Sequence, residues 1–251
     1  MATIGAVYCV YDASEFFEES VKRIYPLVDS VVFLLNFKPW SGGVIVRAVE
    51  KSYQRILALS DPDSKFIILS QYWKTEADQR NSGLHVLKNK GIDWCLVIDD
   101  DEMYNKSELE NIFKSLGSAV HVAYLFYHQI YWKNRQTIIE GLFGSFPTLM
   151  KTNGLVYFNE NRTILVKPNH TWFTISPKNI ICHHFSYVRS NDKMYEKLNM
   201  SSHASDFNKD WFNNVWLKWN SEMTDLGPIV PNVFKRAVSV SKSCYQLENL
   251  L

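Results

Sequence analysis

The run Trp94-Cys95-Leu96-Val97-Ile98-Asp99-Asp100-Asp101-Glu102 is an apolar stretch that ends in four consecutive carboxylates. A buried strand that delivers acids at its C-terminal end builds a hard-oxygen site of the kind that takes Mg²⁺ or Mn²⁺. An ion held there would clamp a diphosphate. In extended chain Asp99 and Asp101 point to one face and Asp100 to the other. Asp101 is then the candidate for direct coordination, and Asp99 for a ribose hydroxyl or a metal-bound water. An acidic turn ahead of Lys106-Ser107-Glu108 could instead do no more than cap the helix that starts there, and Glu102 suits that role.

Three further groups carry chemistry. His183-His184-Phe185-Ser186-Tyr187-Val188-Arg189 follows an apolar segment, and an imidazole far along the chain can complete an ion site begun by aspartates, being a good ligand for Mn²⁺. Arg189, with Lys193 and Lys197 on the helix that follows, can contact a diphosphate. Gln79-Arg80-Asn81 lies on the helix that leads into the acidic strand, where Arg80 or Asn81 can reach a donor phosphate or sugar. Trp40, Trp132 and Trp172 fall in expected loops, where an indole can stack on a sugar face, although packing is the default for any one of them in a chain that is 14% aromatic.

The elements that must position these groups follow from pattern. Ile4 to Tyr11 reads as a buried strand, and Asp12-Ala13-Ser14-Glu15 has capping-box spacing that predicts a helix through about Tyr25. Strands are expected over Ser30 to Leu35, Lys65 to Leu69 and Asp93 to Ile98. Helices are expected over Val44 to Leu59 and Glu76 to Lys90, the latter stopped by Gly91, and the loop Asn36 to Gly43 joins the second strand to its helix. Repeated βα units of this length imply a mostly parallel sheet flanked by helices, and ligands on such α/β sheets bind beyond the C-terminal strand ends. After residue 120 the pattern becomes a small mixed β region of short strands (Val120 to Trp132, Gln136 to Glu140, Thr148 to Lys151, Leu155 to Phe158). C-terminal helices are expected over Asp192 to Asn199 and Ser205 to Trp219.

Composition fits this reading. With 251 residues, 46% hydrophobic and 21% charged, the chain is expected to form one catalytic domain around a substantial core. No signal-peptide pattern or apolar span is evident, which leads to the expectation of a cytoplasmic protein without a transmembrane segment. Cys9, Cys95, Cys182 and Cys244 form no CxxC pair, so neither a zinc knuckle nor a disulfide framework is suggested. Residues 1–125 hold 13 Lys+Arg against 17 Asp+Glu (net −4), and residues 126–251 hold 14 against 9 (net +5). An acidic half joined to a basic half suits a phosphate-bearing ligand, as it also suits plain surface asymmetry.

Taken in order, Ala6 to Glu18, Val28-Asp29-Ser30-Val31-Val32, Gln79-Arg80-Asn81, Asp93 to Glu102 and His183 to Tyr187 resemble the GT-A (Rossmann-like) nucleotide-sugar glycosyltransferases of the family 2-like branch, over roughly residues 4–198. The resemblance implies transfer of a sugar, with inversion, from a nucleoside-diphosphate sugar, a UDP-sugar first, to an acceptor hydroxyl. It implies Mn²⁺ or Mg²⁺ held by Asp101, assisted by Asp99 and by His183 or His184. It further places the strand end around Tyr11 and Asp12 at the nucleobase and ribose, with Asn36 or Lys38 nearby. On this resemblance the expected parts of the domain are a nucleotide-sugar binding half (1–104), an acceptor half (105–190) and a C-terminal helical extension (191–251). The family's Arg-Asn-Glu type of turn after the first strand is replaced by Val10-Tyr11-Asp12-Ala13-Ser14-Glu15. For the base that deprotonates the acceptor, Glu140 is favoured over Glu160, Asp192 and Glu102. The acceptor is open among a saccharide, a lipid-linked glycan, a protein and a modified DNA base. The rival classes are a metal-dependent phosphohydrolase or nucleotidyltransferase and a non-enzymatic sugar or nucleic-acid binding module. A nucleotidyltransferase would be expected to carry an early glycine-rich loop, whereas Ile4 to Asp12 holds only Gly5.

Overall fold

The computed structural model describes residues 2–38, 40, 46–160, 162–200, 206–208, 210–229 and 232–248. Its first half runs β1 (Ile4–Val10), α1 (Phe17–Ile24), β2 (Ser30–Asn36), α2 (Val46–Leu57), β3 (Phe66–Gln71), α3 (Glu76–Asn89) and β4 (Trp94–Ile98). The strands are parallel in the order β3-β2-β1-β4. This is the expected βα repeat; the start of the helix expected from Val44, and Pro39 and Ser41 to Gly43 of the loop before it, lie outside the described residues.

The strands read as continuous apolar runs because both faces of the sheet are covered. Ile4, Ala6, Tyr8, Val31, Phe33, Trp94, Leu96 and Ile98 share one core layer with Phe17, Val21, Leu109 and Phe113. Val7, Val32, Leu34, Cys95 and Val97, the alternate residues, share another with Leu84 and Leu87 of α3. Each buried Val, Leu, Ile or Phe among them contributes about 1.5–3 kcal/mol. The contact of α3 with the sheet is close enough to require glycine on both sides. A Cβ on Gly5 would stand 2.3 Å from Leu87, and one on Gly83 would stand 2.5 Å from Val7. That approach sets the position of Arg80, one turn before Gly83.

The second half continues with β5 (Glu102–Met103), α4 (Lys106–Ser115), β6 (Ala123–Trp132), β7 (Asn134–Ile139), β8 (Phe143–Lys151), β9 (Val156–Glu160), β10 (Thr163–Val166), β11 (Trp172–Thr174), β12 (Ile181–Tyr187), α5 (Asn191–Met200) and β13 (Ala237–Ser239). β8 joins the free edge of β4 antiparallel, and the sheet extends as β13-β7-β6-β8-β4. The mixed strands are thus continuous with the parallel ones, and β9 and β10 form a small antiparallel sheet of their own. The result is an α/β, Rossmann-like fold with one large curled sheet flanked by helices. β12 runs parallel to β6 and antiparallel to β5, which brings it beside the end of β4.

Two expected elements form differently. The Asp12-Ala13-Ser14-Glu15 box does not cap α1, whose N-cap is Phe16 with no side-chain bond. Ser14 is turned instead to Asp100, its backbone N–H donating to the carboxylate and its hydroxyl donating to the Asp100 carbonyl at 2.9 Å. Of the helix expected over Ser205 to Trp219, the described residues form one π-helical turn, Phe212–Trp216; Ser205 and Lys209 lie outside the described residues. Trp211 and Trp216 flank that turn and are buried against Trp132, Ile130 and Phe234, so tertiary packing overrides helical continuation. No helix among the described residues is long and apolar enough to cross a membrane.

Candidate functional site

The acidic run emerges at the C-terminal end of β4, and every member is claimed by a group from another element. Asp99 accepts from Arg80 Nη2 of α3 at 3.0 Å and lies 3.8 Å from Arg162 in the β9–β10 turn. Burial opposes its charge, but Arg162 and Arg80 outweigh it and hold the carboxyl below the usual range. Asp100 points the other way, to the β1–α1 loop. Burial, with the charge of Asp101, pushes it up to about 7. Glu102 is fully buried and is not the helix cap its position suggests. Both of its oxygens are bonded by Arg162, and Oε2 also accepts the Asp99 N–H at 3.1 Å.

Asp101 is met from the β12–α5 junction. Arg189 Nη2 stands 2.8 Å from Oδ2, Lys197 Nζ 3.4 Å from the same oxygen, and His184 Nε2 3.1 Å from Oδ1. Burial again works against the charge, and Lys197, His184 and Arg189 together hold this carboxyl well below its usual range. A carboxylate can only accept, so the hydrogen in the contact is on His184 Nε2, and in the neutral ring Nδ1 is left with a lone pair. That Nδ1 is buried without a protein partner.

The adjacent histidines do not act together. Successive residues of a strand face opposite sides, and the register places His184 opposite Glu102 but His183 opposite Met103. His183 is buried beside Tyr131, whose hydroxyl lies 3.1 Å from Nδ1, and burial pushes it down to about 3. It belongs to the core with Met103, Tyr131 and Phe185 and is removed from the expected ion ligands. A histidine not foreseen takes part instead. His128 of β6 is 1% exposed, its ring stands edge-on 5.4 Å from that of His184, and its Nδ1 is 3.8 Å from Glu102 Oε1. Burial, with Arg162 and His184 nearby, holds it well below its ordinary pKa and therefore neutral. Its Nε2 is buried and unpartnered.

These residues fit a divalent ion on a donor set that keeps His184 of those expected and adds Glu102 and His128. Asp99 and Asp101 are paired with protein cations, as Glu102 is with Arg162. One atom from each of Glu102, His128 and His184 lies within 4.8 Å of the others, and the two imidazoles present orphaned nitrogens. Buried nitrogens without hydrogen-bond partners are rare, and an ion or water satisfies them.

The remaining expected residues divide. Asp12, at the end of β1, pairs with Lys193 of α5 at 3.3 Å, and the Tyr11 carbonyl accepts from Ser52 Oγ at 3.0 Å. Lys38 lies over the exposed Tyr72 ring at 5.8 Å. Asn36 is not free for a nucleotide. Its amide exchanges two 3.1 Å bonds with the Trp73 backbone. Asn81 is likewise occupied, exchanging bonds of 2.7 and 2.8 Å with the Phe158 backbone and so fastening β9 to α3. Glu140 is exposed and makes a bidentate pair with Arg236, both bonds 2.8 Å. Trp132 is buried in β6 against Trp211, Trp216 and Tyr187, and Trp172 is a half-exposed residue of β11, so neither is a loop residue. Arg162, His128 and the role of Glu102 were beyond reach of the sequence. The sole signal was a lone histidine inside the aromatic strand Tyr124 to Trp132.

No protein-family model matches the chain, and no curated protein matches it. Among solved structures it is similar to a 4-diphosphocytidyl-2C-methyl-D-erythritol synthase from Anaerococcus prevotii, at 10% identity over 77% of this chain and 94% of that one, with a TM-score of 0.43. It is also similar to a CMP:2-keto-3-deoxy-manno-octonic acid synthetase complexed with CTP, at 10% identity over 61% of this chain and 75% of that one, with a TM-score of 0.37. Neither likeness assigns an activity to this chain.

Proposed function

We propose that the chain is a nucleotide-dependent transferase that moves a sugar from a nucleoside-diphosphate sugar to an acceptor hydroxyl. The observation that carries this reading is the meeting, at the C-terminal end of a parallel strand, of Asp99 and Asp101 with cations from three other elements: Arg80, Arg162, and the Arg189 and Lys197 pair. An alternating field of this kind accepts a diphosphate by exchanging carboxylate partners for phosphate oxygens. Arg189 and Lys197, with the more exposed Lys193, bind the two phosphates, while Asp101 holds His184 in place. Asp12 and Tyr11 line the ribose side. A divalent ion held by His128 and His184, each with an unpartnered ring nitrogen, and by Glu102 in exchange for Arg162, would supply positive charge for the leaving diphosphate. Glu140 is the carboxylate we assign to the acceptor hydroxyl, released from Arg236 when acceptor binds. Residues 1–104 then carry the nucleoside side of the donor, while the stretch 105–190 carries Glu140 for the acceptor and lends Arg162, His184 and Arg189 to the diphosphate side.

The second reading is nucleotidyl transfer from a nucleoside triphosphate, which the same carboxylates and cations would serve. The β1–α1 loop, Tyr11 to Phe16, lacks glycine to wrap a triphosphate. The product separates the two readings. Calorimetry and thermal shift with UDP- and GDP-sugars and with nucleoside triphosphates, followed by assay of the released nucleotide, should give nucleoside diphosphate from a sugar donor. Pyrophosphate release would establish the second reading. Arg189→Ala removes a cation assigned to the diphosphate and should weaken nucleotide binding, and Glu140→Gln should lower turnover with donor affinity unchanged. Unaltered nucleotide binding in the Arg189 variant would exclude this site.

A further inference from the structure

We propose that the ion of this site is a first-row transition metal bound through imidazole nitrogen, and that Arg162 is a built-in cation that holds the Glu102 carboxylate until that metal arrives. The inference deepens the transferase reading and rests on it only for the metal's role.

The donor set decides the metal. Two imidazoles and one carboxylate are borderline ligands that favour Mn²⁺, Fe²⁺, Co²⁺ or Zn²⁺, whereas Mg²⁺ selects oxygen donors and gives up its water reluctantly. Each imidazole is prepared for the purpose. Asp101, 3.1 Å from His184 Nε2, fixes the hydrogen there and leaves the Nδ1 lone pair free. This is the carboxylate–histidine arrangement that orients a metal ligand, and it makes Asp101 an orienting group, not a ligand. His128 is 1% exposed with Nε2 unpartnered, an arrangement that hydrogen bonding within the protein does not explain. Without an ion, Glu102 would be a carboxylate buried in the core, and Arg162 supplies the compensating charge from the β9–β10 turn. Arg162 also approaches Asp99 at 3.8 Å, so it has a second carboxylate to move to when an ion takes Glu102.

The test uses the full chain without nucleotide. Mn²⁺ is titrated against wild type, His128→Gln and Arg162→Met and followed by the loss of the free-ion EPR signal. Competing Mg²⁺ is then added, and nitrogen couplings are recorded on the bound ion. Wild type should bind one Mn²⁺ that excess Mg²⁺ does not displace, with couplings from two imidazoles. His128→Gln should weaken binding at least about tenfold. Arg162→Met should bind Mn²⁺ more tightly than wild type, and Mn²⁺ should raise its Tm by more. Absence of nitrogen coupling in wild type, displacement by Mg²⁺, or unchanged affinity in His128→Gln overturns the metal assignment. An Arg162→Met protein that Mn²⁺ neither restores nor stabilises beyond wild type overturns the role given to Arg162. Nucleotide-sugar binding without Mn²⁺ binding would sink this inference and spare the transferase reading, and Mn²⁺ binding without any nucleotide response would do the reverse.

Discussion

Arg80 Nη2 stands 3.0 Å from Asp99 Oδ1, which fixes the end of β4 to the middle of α3 through a guanidinium only 1% exposed. Glu76, one turn earlier, shares the same arginine. Removing one member of a buried ion pair strands the others, at about 3–5 kcal/mol. Arg80→Met should therefore destabilise by that order in denaturant titration. The double variant with Asp99→Asn should recover part of the loss, because it removes one of the stranded charges. Additive losses in the double-mutant cycle would show that the two residues are not coupled.

The same helix offers a separable test of positioning. Gly83→Ala places a methyl 2.5 Å from Val7, in a layer with no room to receive it, and overpacking of this kind costs about 1–3 kcal/mol. Relief requires α3 to lift from β1, which carries Arg80 away from Asp99. Nucleotide affinity should fall in Gly83→Ala more than in a variant of equal stability loss elsewhere, such as Phe113→Leu in the opposite layer. Equal affinities in the two would confine the effect to stability.

How far the sequence carried depended on whether the information was local. β1, β2, α3 and β4 were legible because apolar runs of strand length alternate with helix-length segments, and Gly91, with φ +75°, stops α3 where expected. Asp101, Arg189 and His184 were legible as residue types and do meet. What was not legible is pairing across the sheet. Nothing in Asn159 to Thr163 announces that Arg162 reaches Glu102, and the choice between His183 and His184 needed the β12 register. Asn36 and Asn81 read as polar groups available to ligand, yet each amide substitutes for a missing strand partner. Ser14 has a capping pattern, but Asp100 competes for it and wins.

His183 gives a pH test with a definite sign. Its folded pKa, pushed down to about 3 by burial, lies below the ordinary value near 6.5. Its neutral form contributes stability that is fully present above about pH 6.5 and is lost as pH falls toward 3, because the unfolded chain takes up the proton first. His183→Gln can keep a hydrogen bond with Tyr131 but cannot titrate. Its stability relative to wild type should therefore rise as pH falls from about 6.5 to 4. Parallel curves for the two proteins by urea titration across that range would place the acid sensitivity elsewhere, with His128 the next candidate.

Asn36 separates a nucleotide contact from a structural one. Its side chain accepts the Trp73 N–H and donates to the Trp73 carbonyl, both at 3.1 Å, which holds the segment after β3 against the end of β2. Asn36→Ala leaves two backbone groups unpaired in a buried position, at about 1–3 kcal/mol for each group left unsatisfied. The expected outcome is a lower Tm with nucleotide affinity, measured by calorimetry well below that Tm, within error of wild type. Asn36→Asp keeps the acceptor and loses the donor, so its Tm should fall between the two. If instead affinity collapses in Asn36→Asp while Tm holds, the amide contacts the nucleotide directly, and Trp73 is only its resting partner.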